Sequence, residues 1–117
     1  MTALLLSADL MVCSRVAGAA ARCGAQVISV PTVESLFQRL TADRPALVVL
    51  DLGLPGLDPS QIVPKLKALT PAPRVMAFGP HVQKARLEAA AAAGCDTVLT
   101  RGQFHAQLDS LLSQPIA

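Results

Sequence analysis

The sequence predicts an α/β domain with a five-stranded parallel sheet and helices on both of its faces. Short apolar runs alternate five times with stretches whose apolar residues recur at a helical period. The run at residues 46–50 is unbroken, which is typical of a strand buried on both faces of a parallel sheet. Regular alternation of this kind implies right-handed crossovers and a doubly wound arrangement. At 117 residues, we expect one domain covering 1–117.

The first two strand and helix pairs have clear boundaries. Residues 3–6 form an apolar strand, and a helical period follows over residues 10–23, where Gly24 suits the left-handed turn that ends a helix. Residues 26–30 form the second strand. Thr32 can cap the next helix. The apolar positions of that helix follow the spacing i, i+3, i+4 and i+7, at Val33, Leu36, Phe37 and Leu40.

The second half of the chain continues the alternation. Residues 60–69 are predicted to be a helix, and Pro64 should lie in its first turn or displace its start, because an interior proline removes a backbone donor. The remaining predicted elements are a strand at 74–78, an alanine-rich helix at 81–93 ended by Gly94, a strand at 95–99 and a helix at 104–112.

Composition excludes several classes of protein. Hydrophobic residues make up 52% of the chain and charged residues 15%, which excludes disorder and indicates a compact domain with either an unusually apolar surface or a partner. The net charge is only +2 and the basic residues are scattered, so we expect no nucleic-acid partner. The apolar runs are too short to cross a membrane and no signal peptide is evident, which predicts a cytoplasmic protein. The three cysteines, Cys13, Cys23 and Cys95, have no zinc spacing and are expected to be buried thiols.

Asp51 is the strongest candidate for a functional residue. It follows the central strand directly, at the carboxyl edge of the sheet, where ligands bind in open α/β folds. The alternative is an aspartate that only caps a helix or supports a turn.

The segment 50–58, Leu-Asp-Leu-Gly-Leu-Pro-Gly-Leu-Asp, resembles the phosphoacceptor loop of two-component receiver domains. In that family a strand ends in the phosphorylated aspartate, and a Pro-Gly turn leads to the next helix. The resemblance extends over the whole chain. It implies the flavodoxin-like strand order 2-1-3-4-5, a role in signal transduction and Asp51 at the phosphoacceptor position.

The resemblance also implies a magnesium site, which this sequence only partly provides. In receivers two acidic residues after the first strand, the acceptor and a backbone carbonyl two residues beyond it hold the ion. Here Ser7 and Ala8 align with the acidic pair, Asp9 is one position further, and Asp51 and Gly53 are retained. Mg²⁺ needs oxygen ligands and negative charge. We therefore expect binding through Asp9, Asp51 and Gly53 to be weak or lost, and no other cofactor.

The switch residues of the family are altered as well. Alignment places Gly79 at the position of the hydroxyl residue that contacts the phosphoryl group, and Val98 at the position of the switch aromatic. Arg101 and Gly102 replace the family's Lys-Pro pair. Arg101 can pair with Asp51 across the pocket. The peptide bond before Gly102 should be trans, because a cis bond without proline costs about 2.5–4 kcal/mol.

Three functional hypotheses follow. The first is an atypical receiver that binds proteins independently of phosphorylation and is not an enzyme. The second is a receiver phosphorylated on Asp51 by a histidine kinase, with Mg²⁺ as cofactor, and the third is a small flavodoxin-like ligand-binding domain. Partners would be a histidine kinase or another signalling protein, or a second copy bound through the fourth helix, fifth strand and fifth helix. His81 and His105 lack ligand partners at metal spacing and carry no predicted role.

Overall fold

A computed structural model describes residues 1–113, which form a parallel five-stranded sheet with six helices. The strand order is β2-β1-β3-β4-β5, which confirms the order implied by the resemblance. The strands are β1 (Thr2–Leu6), β2 (Gln26–Val30), β3 (Leu47–Asp51), β4 (Arg74–Gly79) and β5 (Thr97–Thr100). The helices are α1 (Leu10–Cys23), α2 (Val33–Asp43), α3 (Pro59–Lys67), α4 (Lys84–Ala92), α5 (Arg101–Ala106) and α6 (Leu108–Ser113).

The sheet is covered on both faces, so the fold is doubly wound as predicted. Helices α2, α3 and α4 pack on one face, and α1, α5 and α6 pack on the other. All five residues of β3 are buried, because this central strand lies between the two layers. Side chains alternate between the faces along each strand. Leu47, Val49 and Asp51 therefore point toward the layer of α1 and α5.

Local signals set the predicted helix boundaries in the first half of the chain. Gly24 ends α1 with φ 68°, a left-handed conformation that glycine adopts without a steric penalty. Thr32 caps α2, where it and Ser35 form a reciprocal capping box.

The prediction for Pro64 was wrong, because this proline lies inside α3, beyond the first turn. Its missing N–H leaves the Ser60 carbonyl without a helical donor. Ser60 is exposed, so water can satisfy that carbonyl, and α3 ends soon afterwards at Lys67.

The last two helical predictions also need correction. Helix α4 begins at Lys84, because a turn that includes His81 precedes it. The predicted helix 104–112 is two helices. A capping box between Thr100 and Gln103 starts α5 at Arg101, and Gln107, with φ −103° and ψ 5°, interrupts the helix. The interruption allows α6 to pack against α1 with Leu108 and Leu112 buried.

Within residues 1–113, no helix combines the length and the hydropathy needed to span a bilayer.

Candidate functional site

Asp51 lies at the carboxyl edge of the sheet, as predicted, but it is the last residue of β3 and only 3% exposed. Both carboxylate oxygens accept hydrogen bonds. The Ser7 hydroxyl donates to Oδ2 at 2.7 Å, and the Gly53 amide donates to Oδ1 at 2.9 Å. These donors compensate for the loss of hydration on burial.

Ser7 connects the carboxyl ends of β1 and β3. It directly follows β1 and is itself 2% exposed. Its hydroxyl oxygen accepts from the Asp9 amide at 3.2 Å while its proton is donated to Asp51. The hydroxyl therefore has both a donor and an acceptor partner. A short polar chain runs from the Asp9 backbone through Ser7 to Asp51.

Asp9 caps α1 and pairs with Arg101. Its Oδ1 accepts from the amides of Met11 and Val12, and its Oδ2 lies 3.3 Å from Nη1 of Arg101. The hydrogen bond from the Val12 amide is the main factor that lowers the pKa of the Asp9 carboxyl, and Arg101 contributes to the same shift. Asp9 is thus held in its charged form by the helix terminus and by a guanidinium.

The predicted ion pair between Arg101 and Asp51 is wrong, because Arg101 pairs with Asp9 instead. The positions of the two residues explain the difference. Arg101 begins α5 instead of lying in a free loop, and Asp51 is already bonded to Ser7 and Gly53 below the pocket opening. The Nε atom of Arg101 is buried without a hydrogen-bond partner in the described chain. The peptide bond between Arg101 and Gly102 is trans, as predicted.

These residues surround an open cavity of about 240 Å³. The carboxylates of Asp51 and Asp9, Gly53, the guanidinium of Arg101 and the exposed Ala8 line it. A magnesium ion would need several free oxygen ligands. The Asp51 carboxylate already accepts hydrogen bonds from Ser7 and Gly53, and the Asp9 carboxylate is paired with the Arg101 guanidinium. The residues present therefore do not fit the magnesium site of the family. Among residues 1–113, no cluster of three or more His, Cys, Asp or Glu side chains is suited to hold a metal ion.

Gly79, which aligns with the hydroxyl position of the family, ends β4 one residue beyond the pairing partner of Asp51. Phe78 pairs directly with Asp51 and lies on the same face of the sheet. Gly79 faces the opposite layer, where an added Cβ would lie 3.2 Å from Cβ of Leu52. Gly79 therefore has no side chain that could contact a group on Asp51.

Phe78 belongs to an aromatic stack that the sequence did not reveal. Its ring lies parallel to that of Phe104 on α5, with centroids 4.1 Å apart and an angle of 4° between the planes. Both residues are almost completely buried. His105 packs against the edge of Phe104 with a centroid distance of 5.5 Å. The sequence places Phe104 on the buried face of its helix, but it gives no sign that the partner ring comes from β4.

Val98, the predicted switch position, lies on β5 opposite Ala77. Its side chain is partly buried and packs in the layer of α3 and α4. A valine side chain has no ring that could turn inward. Val98 therefore contributes packing at the edge strand.

No protein-family model matches the sequence, and no curated protein matches it either. Solved structures of the same fold are numerous. A response regulator receiver domain from Bermanella marisrubri superposes with a TM-score of 0.82 at 23% identity, covering 94% of this chain and 93% of that one. The receiver domain of a sensor histidine kinase from Pseudomonas aeruginosa, described with a magnesium ion coordinated in its active-site cleft, gives a TM-score of 0.78 at 18% identity over 95% and 93%.

A response regulator from Thermotoga maritima is similar over 97% of this chain and 98% of its own, with a TM-score of 0.77 and 16% identity. At these identities the likeness establishes architecture, and the strand order and the helix layers agree with it. The chain therefore has the receiver fold of response regulators.

Proposed function

We propose that this chain is an atypical receiver domain that transmits signals through protein contacts, independently of phosphorylation at Asp51 and without catalytic activity. The observation that carries the proposal is the state of the Asp51 carboxylate. Ser7 and Gly53 already bond both of its oxygens in a site that is 3% exposed. Both hydrogen bonds stabilise the negative charge of the carboxylate, and together with its burial they make it a weaker and less accessible nucleophile toward a phosphodonor.

Charge in the pocket supports the same proposal. Receiver chemistry uses a divalent cation to offset the charge that develops on the transferred group. Here the positive charge comes from Arg101, which is paired with Asp9 at 3.3 Å. This internal ion pair reduces the negative charge that would attract Mg²⁺, because it leaves Asp51 as the one carboxylate among residues 1–113 that lines the pocket without an ion pair.

The residues at the switch positions support the loss of switching. Gly79 stands where the resemblance implies a hydroxyl, and it offers only a backbone donor. Val98 stands where the resemblance implies the switch aromatic, and it has no ring that could turn inward.

The surface formed by α4, β5 and α5 is the proposed contact region for a protein partner, a second copy of this chain included. Only Ala90 of α4 is buried, and every residue of β5 is partly exposed. The alanine-rich surface of α4 would allow close approach of another backbone. Sedimentation velocity measures self-association. Ala89→Glu, on the exposed side of α4, should abolish any dimer that uses this surface, whereas Gln38→Glu on α2 should not.

The alternative is a receiver that is still phosphorylated on Asp51. The observation in its favour is that Asp51 lines an open cavity together with a basic residue. Incubation with acetyl phosphate and Mg²⁺, followed by intact mass measurement, separates the two hypotheses. We expect no added phosphoryl group on the unmodified protein. A phosphoryl adduct that Asp51→Asn abolishes would establish the alternative.

A further inference from the structure

A groove between α1 and the helices α5 and α6 is lined by basic side chains that do not line the pocket at Asp51. It encloses about 330 Å³ and is lined by Arg15, Arg22 and His105 together with Ser14 and Asp109. Ser14 and Arg15 lie on the same side of α1 as Arg22, about two helical turns apart, so their side chains reach a common surface.

The acid in the groove is already neutralised. Asp109 makes a two-point contact with Arg22, with Nη2 2.7 Å from Oδ1 and Nε 3.2 Å from Oδ2. Arg15 makes no ion pair or hydrogen bond with any residue between 1 and 113, and the same holds for the Ser14 hydroxyl. The groove therefore contains a guanidinium and a hydroxyl that are available to a ligand.

His105 adds a third donor whose position is fixed by packing. Its ring lies against the edge of Phe104, and Nδ1 is buried without a partner in the described chain, so Nε2 is the ring nitrogen that can reach a ligand. Burial lowers the pKa of His105, the positive charges of Arg15 and Arg101 lower it further, and Asp9 and Asp51 oppose the shift. A bound anion would act in the same direction as these carboxylates and favour the protonated ring, which donates from both nitrogens.

We propose that this groove binds the phosphate group of a small molecule, held by the Arg15 guanidinium, the Ser14 hydroxyl and the His105 ring. A phosphate monoester offers three strong acceptor oxygens, and a guanidinium can bind two of them at once. The buried side chain of Leu108 forms an apolar wall beside these donors. The groove is large enough for a phosphate and a small attached group. This proposal does not depend on what happens at Asp51.

Nuclear magnetic resonance of the intact chain tests the site, because the groove contains one of the two histidines. Inorganic phosphate and adenosine monophosphate are titrated separately at constant ionic strength, with sodium chloride as the reference salt. We expect saturable shifts of the His105 ring and the Gly18 amide, whereas the exposed His81 ring should not move. Tighter binding of the nucleotide would identify an attached group as part of the ligand, and equal binding would identify phosphate alone.

Arg15→Gln is the decisive variant, with Arg44→Gln as its matched control. Each substitution removes one exposed guanidinium, but Arg44 follows α2 on the opposite face of the sheet. We expect Arg15→Gln to weaken binding about tenfold or more and Arg44→Gln to leave it unchanged. Both variants should keep the melting temperature of the parent. Shifts that do not saturate, shifts that sodium chloride reproduces, or equal affinities of the two variants would overturn the proposal.

Discussion

The two ends of the candidate site are built on different principles. At the end formed by β1 and β3, hydrogen bonds join the Asp9 amide, the Ser7 hydroxyl and the Asp51 carboxylate. At the end formed by β4 and α5, two phenyl rings stack without any polar atom. A ligand could replace the hydrogen bonds of the first end with its own. The second end is held by close packing of the two rings, which a ligand cannot replace.

Because of this difference, the ability to bind an ion and the ability to switch would be restored by substitutions at different positions. Substitutions at Ser7 and Ala8 could restore carboxylates at the first end, because Ala8 is exposed and both residues follow β1 directly. They would not restore a switch, because Gly79 and Val98 still stand at the two switch positions that the resemblance implies. A functional switch would need changes at those positions as well.

The largest expected effect comes from the aromatic end. Phe104→Ala should lower the free energy of unfolding by about 3–5 kcal/mol, because it removes a buried ring and leaves a cavity beside Phe78. Urea denaturation measures the change. Phe37→Ala is the control, since that ring is only partly buried, and it should cost less than half as much. Similar losses of unfolding free energy for the two variants would mean that the stacked ring contributes no more to stability than a partly buried ring.

The polar end should contribute less. Ser7→Ala leaves Oδ2 of the buried Asp51 without its donor, and Asp51→Ala leaves the Ser7 hydroxyl and the Gly53 amide without their acceptor. Each substitution should cost about 1–3 kcal/mol. Asp51→Asn should cost less, because its amide oxygen can still accept from Gly53.

A double-mutant cycle tests whether these losses share one origin. The double variant Ser7→Ala with Asp51→Ala should lose less than the sum of the single losses, since neither Ser7 nor Asp51 is left facing a missing partner and only the Gly53 amide still lacks its acceptor. Additive losses would show that the 2.7 Å contact does not stabilise the fold.

A smaller effect is expected for the pH dependence of stability. The pKa of His105 is lowered by burial and by Arg15 and Arg101, against opposing contributions from Asp9 and Asp51. Because the folded pKa lies below the unfolded value, the unfolded chain binds more protons. Stability is therefore fully present above the unfolded pKa of about 6.5 and falls as the pH drops through the folded value.

Thermal unfolding between pH 8 and pH 5 measures this loss, whose slope has a ceiling of about 1.4 kcal/mol per pH unit for one proton. His105→Gln should flatten the profile, whereas His81→Gln, in an exposed turn, should leave it unchanged. An unchanged profile in His105→Gln would assign the dependence to other groups.

The sequence predicts the fold well because its signals are local. Periodicity, the glycine at position 24 and the cap at Thr32 each act within a few residues. The site is less predictable, because its contacts join distant segments. Asp51 meets Ser7 across 44 positions, and Arg101 meets Asp9 across 92.

The end of β4 illustrates the limit. Neighbouring residues of a strand face opposite layers, so Phe78 shares the face of Asp51 and Gly79 does not. The pairing of Asp51 with Phe78 depends on the register between two strands, which periodicity alone does not give. The capping box of Thr100 and Gln103 was a local signal for the start of α5, so the position of Arg101 could have been predicted.

The smallest expected effect is that of Mg²⁺ on the unmodified protein. A ligand stabilises the fold in proportion to the logarithm of its concentration over its dissociation constant. The Asp51 oxygens are hydrogen-bonded to Ser7 and Gly53, and Asp9 is paired with Arg101. We therefore expect that MgCl₂ at about 10 mM, roughly a saturating dose for a functional site, does not raise the melting temperature. The control is sodium chloride at equal ionic strength.

The double variant Ser7→Asp with Ala8→Asp should have a lower melting temperature than the parent without Mg²⁺, because the new carboxylates lie beside Asp51. On adding Mg²⁺ its melting temperature should rise by about 4 °C, if the dissociation constant is about 1 mM. Ser7→Asn with Ala8→Asn, which has nearly the same size without the charge, should gain nothing. A gain of several degrees by the unmodified chain would instead mean that Mg²⁺ displaces Arg101 from Asp9, and phosphorylation of Asp51 would then become the better-supported function.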